Sequence, residues 1–190
     1  MEIITEDIKN EILQRIGEKR YNHTLRVMKT AVELARNFGI DEEKAQIAGY
    51  LHDCAKIKNK EELLKEAEIY NLNLTEDMKR APQIIHGYLG AKIANKRYHI
   101  DDIEILSAIE SHTTGKDNMS DLDKIIFLAD YIEPMRNFDG VEEARKLSKI
   151  NLDEAMLFSL NNTIEFLCSK DEYIALDTIK ARNYILEILK

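Results

Sequence analysis

Apolar residues recur every three or four positions along almost the whole chain, a spacing typical of one buried face of an α-helix. The pattern is clearest in two runs, formed by Ile4, Ile8, Ile12 and Ile16 and by Leu25, Met28, Val32 and Ala35. Only two prolines and seven glycines occur among 190 residues, and few helix-breaking residues favour long helices over short strands. The pattern therefore predicts an all-α fold.

Caps and breakers between the periodic runs place the helices. Thr5 and Asp41 are predicted N-caps, and Gly17 and Gly39 are predicted ends. Loops are predicted at 56–60 and in the polar segment 71–80, with Pro82 starting the next element. Helices are predicted at about 5–17, 20–38, 41 to between 52 and 55, around 63–67, and at 84–98, 103–110, 122–132, 141–150, 152–168 and 178–189.

Charge and composition exclude several classes of protein. The net charge is -8, and the chain has no basic stripe of the kind that binds nucleic acid. No apolar run approaches the roughly 18 residues of a membrane span, and residues 1–10 lack the apolar run of a signal peptide. Cys54 and Cys168 are far apart, which predicts unpaired thiols in a cytoplasmic protein.

The dipeptide His52-Asp53 is the sharpest local signal, because it follows the apolar helical run 45–51. A buried carboxylate is costly unless a cation or hydrogen-bond donors compensate its charge. Neighbouring helix positions point about 100° apart, so both residues reach one ion only at a seam between helices. Nitrogen and oxygen ligands suit manganese, iron or zinc. The alternative is that His52 caps the helix and Asp53 begins a turn.

Two further positions favour a buried ionic site. Arg20 and Arg26 flank His23 three residues away on either side, an arrangement suited to phosphate, although a surface arginine pair is the alternative. Asp130 has apolar residues three and four positions before it, so it faces the core and requires a partner. Arg136 follows a proline and can lean back over Asp130.

Three weaker signals accompany these positions. Gly90 lies four residues after His86, which leaves space for a ligand or for close packing by another helix. His112 and Thr113 begin a His-Thr-Thr-Gly turn that either hydrogen-bonds phosphate or caps a helix. Lys56 follows Asp53 by three residues and either faces the same ion or is a solvated loop lysine.

Three residues are predicted to have no part in the site's chemistry. His99 has no acidic neighbour and is assigned to the surface or to a helix cap. Asp123 is assigned to a cap, and Cys54 is read as a small buried residue.

These residues fall in five ordered segments, RYNHTLRV, GYLHDCAK, IIHGYLGA, SHTTG and DKIIFLADYIEPMR. Together the segments resemble the HD superfamily of metal-dependent phosphohydrolases, and most closely the bacterial YqeK family of symmetrical bis(5'-nucleosyl)-tetraphosphatases. The resemblance extends from about residue 20 to residue 183. One departure is near the C-terminus, where EYIALDTIKARN keeps Ala181, Arg182 and Asn183 but lacks the proline usual in the family.

The resemblance implies a single HD domain over residues 1–190, a helical bundle with a metal-binding core at about 20–136 and C-terminal helices at about 140–190 packed on it. It implies a first metal held by His23, His52, Asp53 and Asp130. His86 and His112 are expected to meet phosphate or a second metal. Iron is the expected ion, with manganese, cobalt or zinc as alternatives, and one or two ions are compatible with the ligand set. A homodimer is consistent with the resemblance.

The implied reaction is hydrolysis of diadenosine tetraphosphate, and of related dinucleoside tetraphosphates, to two nucleoside diphosphates. Catalytic roles are expected for Asp53, Lys56, His86, His112 and Arg136. Substrate contacts are expected from Arg20, His23, Lys56, His86, His112, Thr113, Asp130 and Arg136. The alternatives are another HD phosphohydrolase acting on nucleoside triphosphates, alarmones or cyclic dinucleotides, a non-catalytic nucleotide sensor, and a structural helical adaptor.

Overall fold

The structure, a computed structural model, describes residues 4–57 and 59–190. Over these residues the chain forms eleven α-helices and one 3-10 helix, and no strand. The helices are α1 (Glu6–Ile16), α2 (Glu18–Phe38), α3 (Glu42–Leu51), α4 (Lys60–Ile69), α5 (Glu76–Arg80), the 3-10 helix (Pro82–Ile84), α6 (Ile85–Tyr98), α7 (Ile103–Ser111), α8 (Asp121–Ile132), α9 (Val141–Leu147), α10 (Leu152–Ser169) and α11 (Leu176–Ile188). The predicted all-α fold is confirmed. Predictions that involve residues 1–3 or Lys58 lie outside the described residues.

The predicted helix ends carry the expected caps. The Thr5 hydroxyl accepts a hydrogen bond from the backbone N–H of Ile8, which lies in the first turn of α1. The Asp41 carboxylate accepts from two backbone N–H groups at the start of α3. Gly39 ends α2 at a φ of 69°, a left-handed conformation that glycine adopts without steric cost. Local chemistry therefore accounts for these boundaries.

The helices that carry the histidines form the centre of the molecule. α2 packs against α3 and α8, and α7 packs against α3, α6 and α8. The side chains at this centre are fully buried and mostly branched, among them Leu51, Ile85, Leu89, Ile109, Ile125 and Leu128. α10 packs on α8, α9 and α11, and this places the C-terminal helices against the central group. No helix in the described part of the chain is both long enough and apolar enough to cross a bilayer.

Two short helices differ from the predictions. The segment 71–80 is not wholly a loop, because α5 begins after Thr75, whose hydroxyl accepts from the N–H of Met78. Met78 is 2% exposed, so one buried side chain holds this turn of helix in place. α9 ends at Leu147 and not at Ile150, whose N–H bonds only three residues back and whose side chain is 73% exposed.

Candidate metal centre

Six side chains predicted to form a site converge at the centre of the helical core. They come from the helices α2, α6 and α8 and from the turns that follow α3 and α7, and are His23, His52, Asp53, His86, His112 and Asp130. The four imidazoles and the Asp53 carboxylate are each at most 7% exposed. Residues separated by more than 100 positions in the chain therefore share one buried volume.

Asp53 lies at the middle of this volume, with one oxygen facing each pair of histidines. Its Oδ2 atom is 3.8 Å from His23 Nε2 and 3.4 Å from His52 Nε2. Its Oδ1 atom is 3.2 Å from His86 Nε2 and 3.8 Å from His112 Nε2. Asp130 joins the first pair, with Oδ1 at 3.0 Å from His23 Nε2. The carboxylate thus has the geometry of a bridge between two groups of donors.

Backbone hydrogen bonds fix the orientation of three of the rings. In His52, His86 and His112, Nδ1 lies 2.7, 2.6 and 2.7 Å from the carbonyl oxygen three residues earlier in the chain. A carbonyl only accepts, so Nδ1 carries the proton and donates. In the neutral ring the lone pair is then on Nε2, the atom that faces Asp53.

Glu133 orients the fourth ring. His23 Nδ1 donates to Glu133 Oε1 at 3.1 Å, so its Nε2 also presents a lone pair to the site. Glu133 is 2% exposed and accepts from Arg26 Nε at 2.6 Å and from the Met135 N–H at 2.8 Å. Burial alone would raise the pKa of Glu133, but these donors lower it to about 2. No sequence pattern indicated Glu133, and the expectation that Arg26 faces a phosphate is wrong, because Arg26 pairs with this carboxylate.

Nitrogen lone pairs without partners indicate that the site fits a cation. His23 Nε2 and His52 Nε2 are buried and lack a hydrogen-bond partner. His86 Nε2 and His112 Nε2 face each other at 3.0 Å, an unfavourable approach of two lone pairs unless a cation lies between them. Two groups have donor atoms within 4.8 Å of one another, His23–His52–Asp130 and His52–Asp53–His112. This mixture of imidazole and carboxylate suits a divalent transition metal.

The pKa shifts of both carboxylates, of His86 and of His112 favour the charge states that a metal requires, whereas the pKa of His52 is raised, which favours its protonated form. Burial alone would raise the pKa of Asp53 and of Asp130, but the surrounding imidazoles lower both below the usual range, so both are ionised. Burial lowers the pKa of His86, and with the neighbouring histidines lowers that of His112 to about 3. Burial also opposes protonation of His52, but the charge of Asp53 raises its pKa, and the same field attracts a metal ion.

Three cationic side chains and a hydroxyl surround this centre. Arg20 Nη1 donates to Asp53 Oδ2 at 3.0 Å, and Arg136 bonds both the carboxylate and the backbone carbonyl of Asp130, the latter at 2.9 Å. Lys56 Nζ lies 3.2 and 3.3 Å from the two ring nitrogens of His86, and burial lowers its pKa. The Thr113 hydroxyl is 3.1 Å from His112 Nε2. All of the predicted substrate contacts therefore lie around the same centre.

The remaining sequence predictions have structural outcomes. A Cβ atom at Gly90 would lie 3.3 Å from Ile109 Cγ2, so this glycine allows close helix packing and does not make room for a ligand. His99 is exposed and ends α6 in a left-handed conformation, as predicted. Asp123 completes a capping box with Ser120 at the start of α8. Cys54 is a free, buried thiol.

Comparison with known proteins identifies the family. The model of the HD domain matches residues 20–135, the part of the chain that contains all six converging residues. The chain belongs to the HD-domain family. Membership in this family implies a divalent metal, in agreement with the donor atoms described above.

Similar HD-domain proteins match almost end to end. One from Halalkalibacterium halodurans is 43% identical over 174 residues, with 90% of this chain and 91% of its own length covered. One from Bacillus subtilis is 39% identical, with 92% and 94% covered. Both are named symmetrical bis(5'-nucleosyl)-tetraphosphatase. A crystal structure from Clostridium acetobutylicum, described as an HD superfamily hydrolase involved in NAD metabolism, has a TM-score of 0.92 at 44% identity and covers 96% of this chain and 97% of its own.

Proposed function

We propose that this HD-domain protein is a symmetrical bis(5'-nucleosyl)-tetraphosphatase, a metal-dependent hydrolase that cleaves diadenosine tetraphosphate and related dinucleotides to two nucleoside diphosphates. One observation carries the proposal. The Nε2 atoms of four imidazoles converge on the buried, ionised carboxylate of Asp53, and cationic side chains surround this group. The near end-to-end similarity to proteins of that name supports the choice of substrate.

The residues that would hold the metal divide into two sets at Asp53. His23, His52, Asp53 and Asp130 form the proposed first set, around Asp53 Oδ2. His86 and His112, around Oδ1, form a second set for another ion or for phosphate oxygens. Bound divalent ions supply charge neutralisation for phosphate oxygens and lower the pKa of coordinated water toward 7. Iron is the proposed ion, and manganese, cobalt and zinc also suit these ligands.

The cationic rim binds and orients the polyphosphate. Arg20 and Arg136 each keep N–H groups beyond those bonded to Asp53 and Asp130, because a guanidinium carries five donors. Lys56 adds a third positive group and Thr113 a hydroxyl. These donors neutralise charge that develops on the phosphate oxygens during in-line displacement.

Proton donation by His86 or His112 is not part of the proposed mechanism. Their lowered pKa values leave both rings neutral near pH 7, with the single proton on Nδ1 held by a backbone carbonyl. A neutral Nε2 accepts hydrogen bonds or binds a cation, and has no proton to give. A nucleoside diphosphate is a good leaving group and needs no acid, so these rings act as acceptors or ligands.

The wider organisation is also proposed. We propose one HD domain for residues 1–190, with the metal-binding core at about 20–136 and helices α9–α11 packed on it through contacts of α9 and α10 with α8. Two free cysteines agree with a cytoplasmic location. Formation of a homodimer stays a prediction.

The substrate is tested by product analysis. The purified protein, loaded with Fe²⁺, Mn²⁺, Co²⁺ or Zn²⁺ in turn, is incubated with diadenosine tetraphosphate, and the products are separated by chromatography. ADP as the sole product supports the proposal, whereas ATP and AMP in equal amounts contradict it. Parallel incubations with nucleoside triphosphates, alarmones and cyclic dinucleotides test the other phosphohydrolases, and a single-turnover experiment tests the non-catalytic sensor.

The role of Asp53 is tested with Asp53→Ala and Asp53→Asn. Both variants should lose bound metal, and turnover should fall by at least about a hundredfold, because each removes the negative charge at the centre of the four imidazoles. Asp101→Ala, which removes an exposed carboxylate, is the control and should keep the metal and the activity. Normal turnover in Asp53→Asn would show that the site is wrongly assigned.

A further inference from the structure

Two grooves lead away from the metal centre on two sides of Arg136. The first has a cavity of about 200 Å³ next to His112, Thr113 and Asp130. It continues as a cavity of about 690 Å³ along α10, and both parts are lined by Tyr131 and Phe138. The second groove, of about 780 Å³, is lined by Arg20, His23 and Met135 among others. Within the described residues, Arg136 alone lines both grooves.

The loop of residues 133–140 presents an apolar side chain to each groove, with a cation between them. Met135 is 70% exposed and Phe138 is 37% exposed, so each offers an apolar surface beside the charged site. Arg136 lies between them in sequence and bonds Asp130. The order apolar, cationic, apolar is thus built into one short segment.

The loop is held rigidly enough to present this order to a ligand. Arg145 donates to the backbone carbonyls of Ile132, Glu133 and Arg136 at 3.0, 2.9 and 2.8 Å. The Met135 N–H donates to the buried Glu133 carboxylate. Four hydrogen bonds from one arginine and one backbone amide therefore fix the backbone that carries Met135, Arg136 and Phe138.

Aromatic rings form the wall of the first groove. The Tyr131 and Phe138 rings meet edge to face, with centroids 4.9 Å apart. Asn162 Nδ2 donates to the Tyr131 hydroxyl at 2.7 Å and to the Asp139 carbonyl at 3.1 Å, which fixes both sides of the wall. Phenyl faces stack on nucleobases, and a methionine thioether makes favourable contacts with aromatic rings.

We propose that the two grooves receive the two nucleoside halves of one dinucleoside tetraphosphate, with one base against Phe138 and the other against Met135. The inference rests on the proposed function. The substrate has an anionic middle between two aromatic ends, and the loop offers a cation between two apolar groups. With one base in each groove, the central phosphates lie at the metal centre, where the grooves meet. The loop therefore centres the substrate, and cleavage occurs at its middle.

The test uses Met135→Ala, Phe138→Ala and the double variant, with Ile103→Ala as the control. Ile103 is 80% exposed and lines neither groove. For diadenosine tetraphosphate, KM should rise at least about fivefold in Phe138→Ala, which loses a stacking partner, and about two- to tenfold in Met135→Ala. The two increases should multiply in the double variant. The kcat should change by less than about twofold, because each contact binds substrate and transition state alike.

A substrate with one nucleoside separates this proposal from a general effect on the loop. Adenosine 5'-tetraphosphate fills one groove, so at most one of the two substitutions should raise its KM. Metal content and the thermal unfolding midpoint are measured for every variant and should match the control. KM values for diadenosine tetraphosphate equal to that of Ile103→Ala overturn the two-groove proposal alone. A wild-type protein that leaves diadenosine tetraphosphate intact overturns the proposed function and this inference together.

Discussion

At the scale of single residues, the orientation of His23 depends on Glu133, a carboxylate that is not itself among the proposed metal ligands. Glu133 accepts from His23 Nδ1 and is held by Arg26 and a backbone amide. Partners of this kind typically contribute ten- to a hundredfold to metal affinity. Glu133→Ala should weaken Mn²⁺ or Co²⁺ binding by about this factor, measured by calorimetric titration of the metal-free protein. Glu133→Gln should lie between, because its amide oxygen still accepts from Nδ1, but the negative charge and the acceptor for Arg26 Nε are lost.

The control for this prediction is Glu42→Gln, which removes an exposed carboxylate paired with Arg36. Its metal affinity should equal that of the wild type. The thermal midpoint of each variant shows whether a loss of affinity reflects unfolding. If Glu133→Ala binds metal as tightly as the wild type, the ring of His23 is oriented by its surroundings and not by Glu133.

Residue type and position predicted the six converging residues but not this partner. His52 and Asp53 end a buried helix, and Asp130 lies on an apolar helix face, so each had a visible reason to require a cation. Glu133 follows the last residue of α8 with an extended ψ of 150°, beyond the reach of helical periodicity. The one sequence feature at this position is an acidic residue directly before Pro134. The direction of the Glu133 side chain depends on a turn that the sequence does not define.

At the scale of helices, the packing of α6 on α7 determines whether His86 and His112 meet. A Cβ atom at Gly87 would lie 2.7 Å from the backbone oxygen of Glu110, which cannot rotate away. We expect Gly87→Ala to destabilise the protein by about 1–3 kcal/mol, partly offset by the better helix propensity of alanine. The thermal midpoint should fall by about 2–8 °C, as measured by circular dichroism.

Gly90→Ala provides a matched comparison on the same helix. Its Cβ atom would meet Ile109 Cγ2 at 3.3 Å, and a side-chain methyl group can shift by a few tenths of an ångström. Its midpoint should therefore fall less than that of Gly87→Ala. A larger loss in Gly90→Ala would mean that the contact at Glu110 is not the one that limits the approach of the two helices.

Long helices were predictable and short ones were not, for a physical reason. The sequences of α2 and α8 contain several turns of periodic apolar residues, and their ends carry recognisable caps. α5 has five residues and one buried side chain, too few to show a period, so its stability comes from Thr75 and from tertiary packing. The end of α9 was placed too late because Ile150 continued the apolar pattern although its side chain points to solvent.

At the scale of the whole molecule, helices distant in the chain meet around one carboxylate. The resemblance to the HD superfamily predicted which side chains converge, but not that one oxygen of Asp53 faces each pair of imidazoles. That division follows from how α2, α3, α6 and α7 pack together, which no local pattern contains. It also means that the site exists only in the folded chain, so metal binding should stabilise the fold.

Cys54 provides a direct measure of this coupling, because it follows Asp53 and is buried, whereas Cys168 is exposed. Burial raises the pKa of the Cys54 thiol to about 12, so it reacts only when the surrounding structure opens. With a thiol reagent at pH 8, we expect one fast reaction per chain from Cys168 and one slow reaction from Cys54. Chelation of the metal should accelerate only the slow reaction.

The size of that acceleration follows from mass action. At a metal concentration of about 100 times Kd, binding to the folded state contributes about 2.7 kcal/mol, so removal of the metal should speed the Cys54 reaction by up to about a hundredfold and lower the thermal midpoint by about 5–10 °C. The Cys168→Ser variant leaves only the Cys54 reaction to be measured. In Asp53→Asn, Cys54 should react with or without chelator at the accelerated rate of the metal-free wild type. An ion bound at the His52-Asp53 turn must hold that turn closed and so protect Cys54. If calorimetry shows that the wild type binds metal but the Cys54 reaction rate is the same with and without it, the ion lies elsewhere.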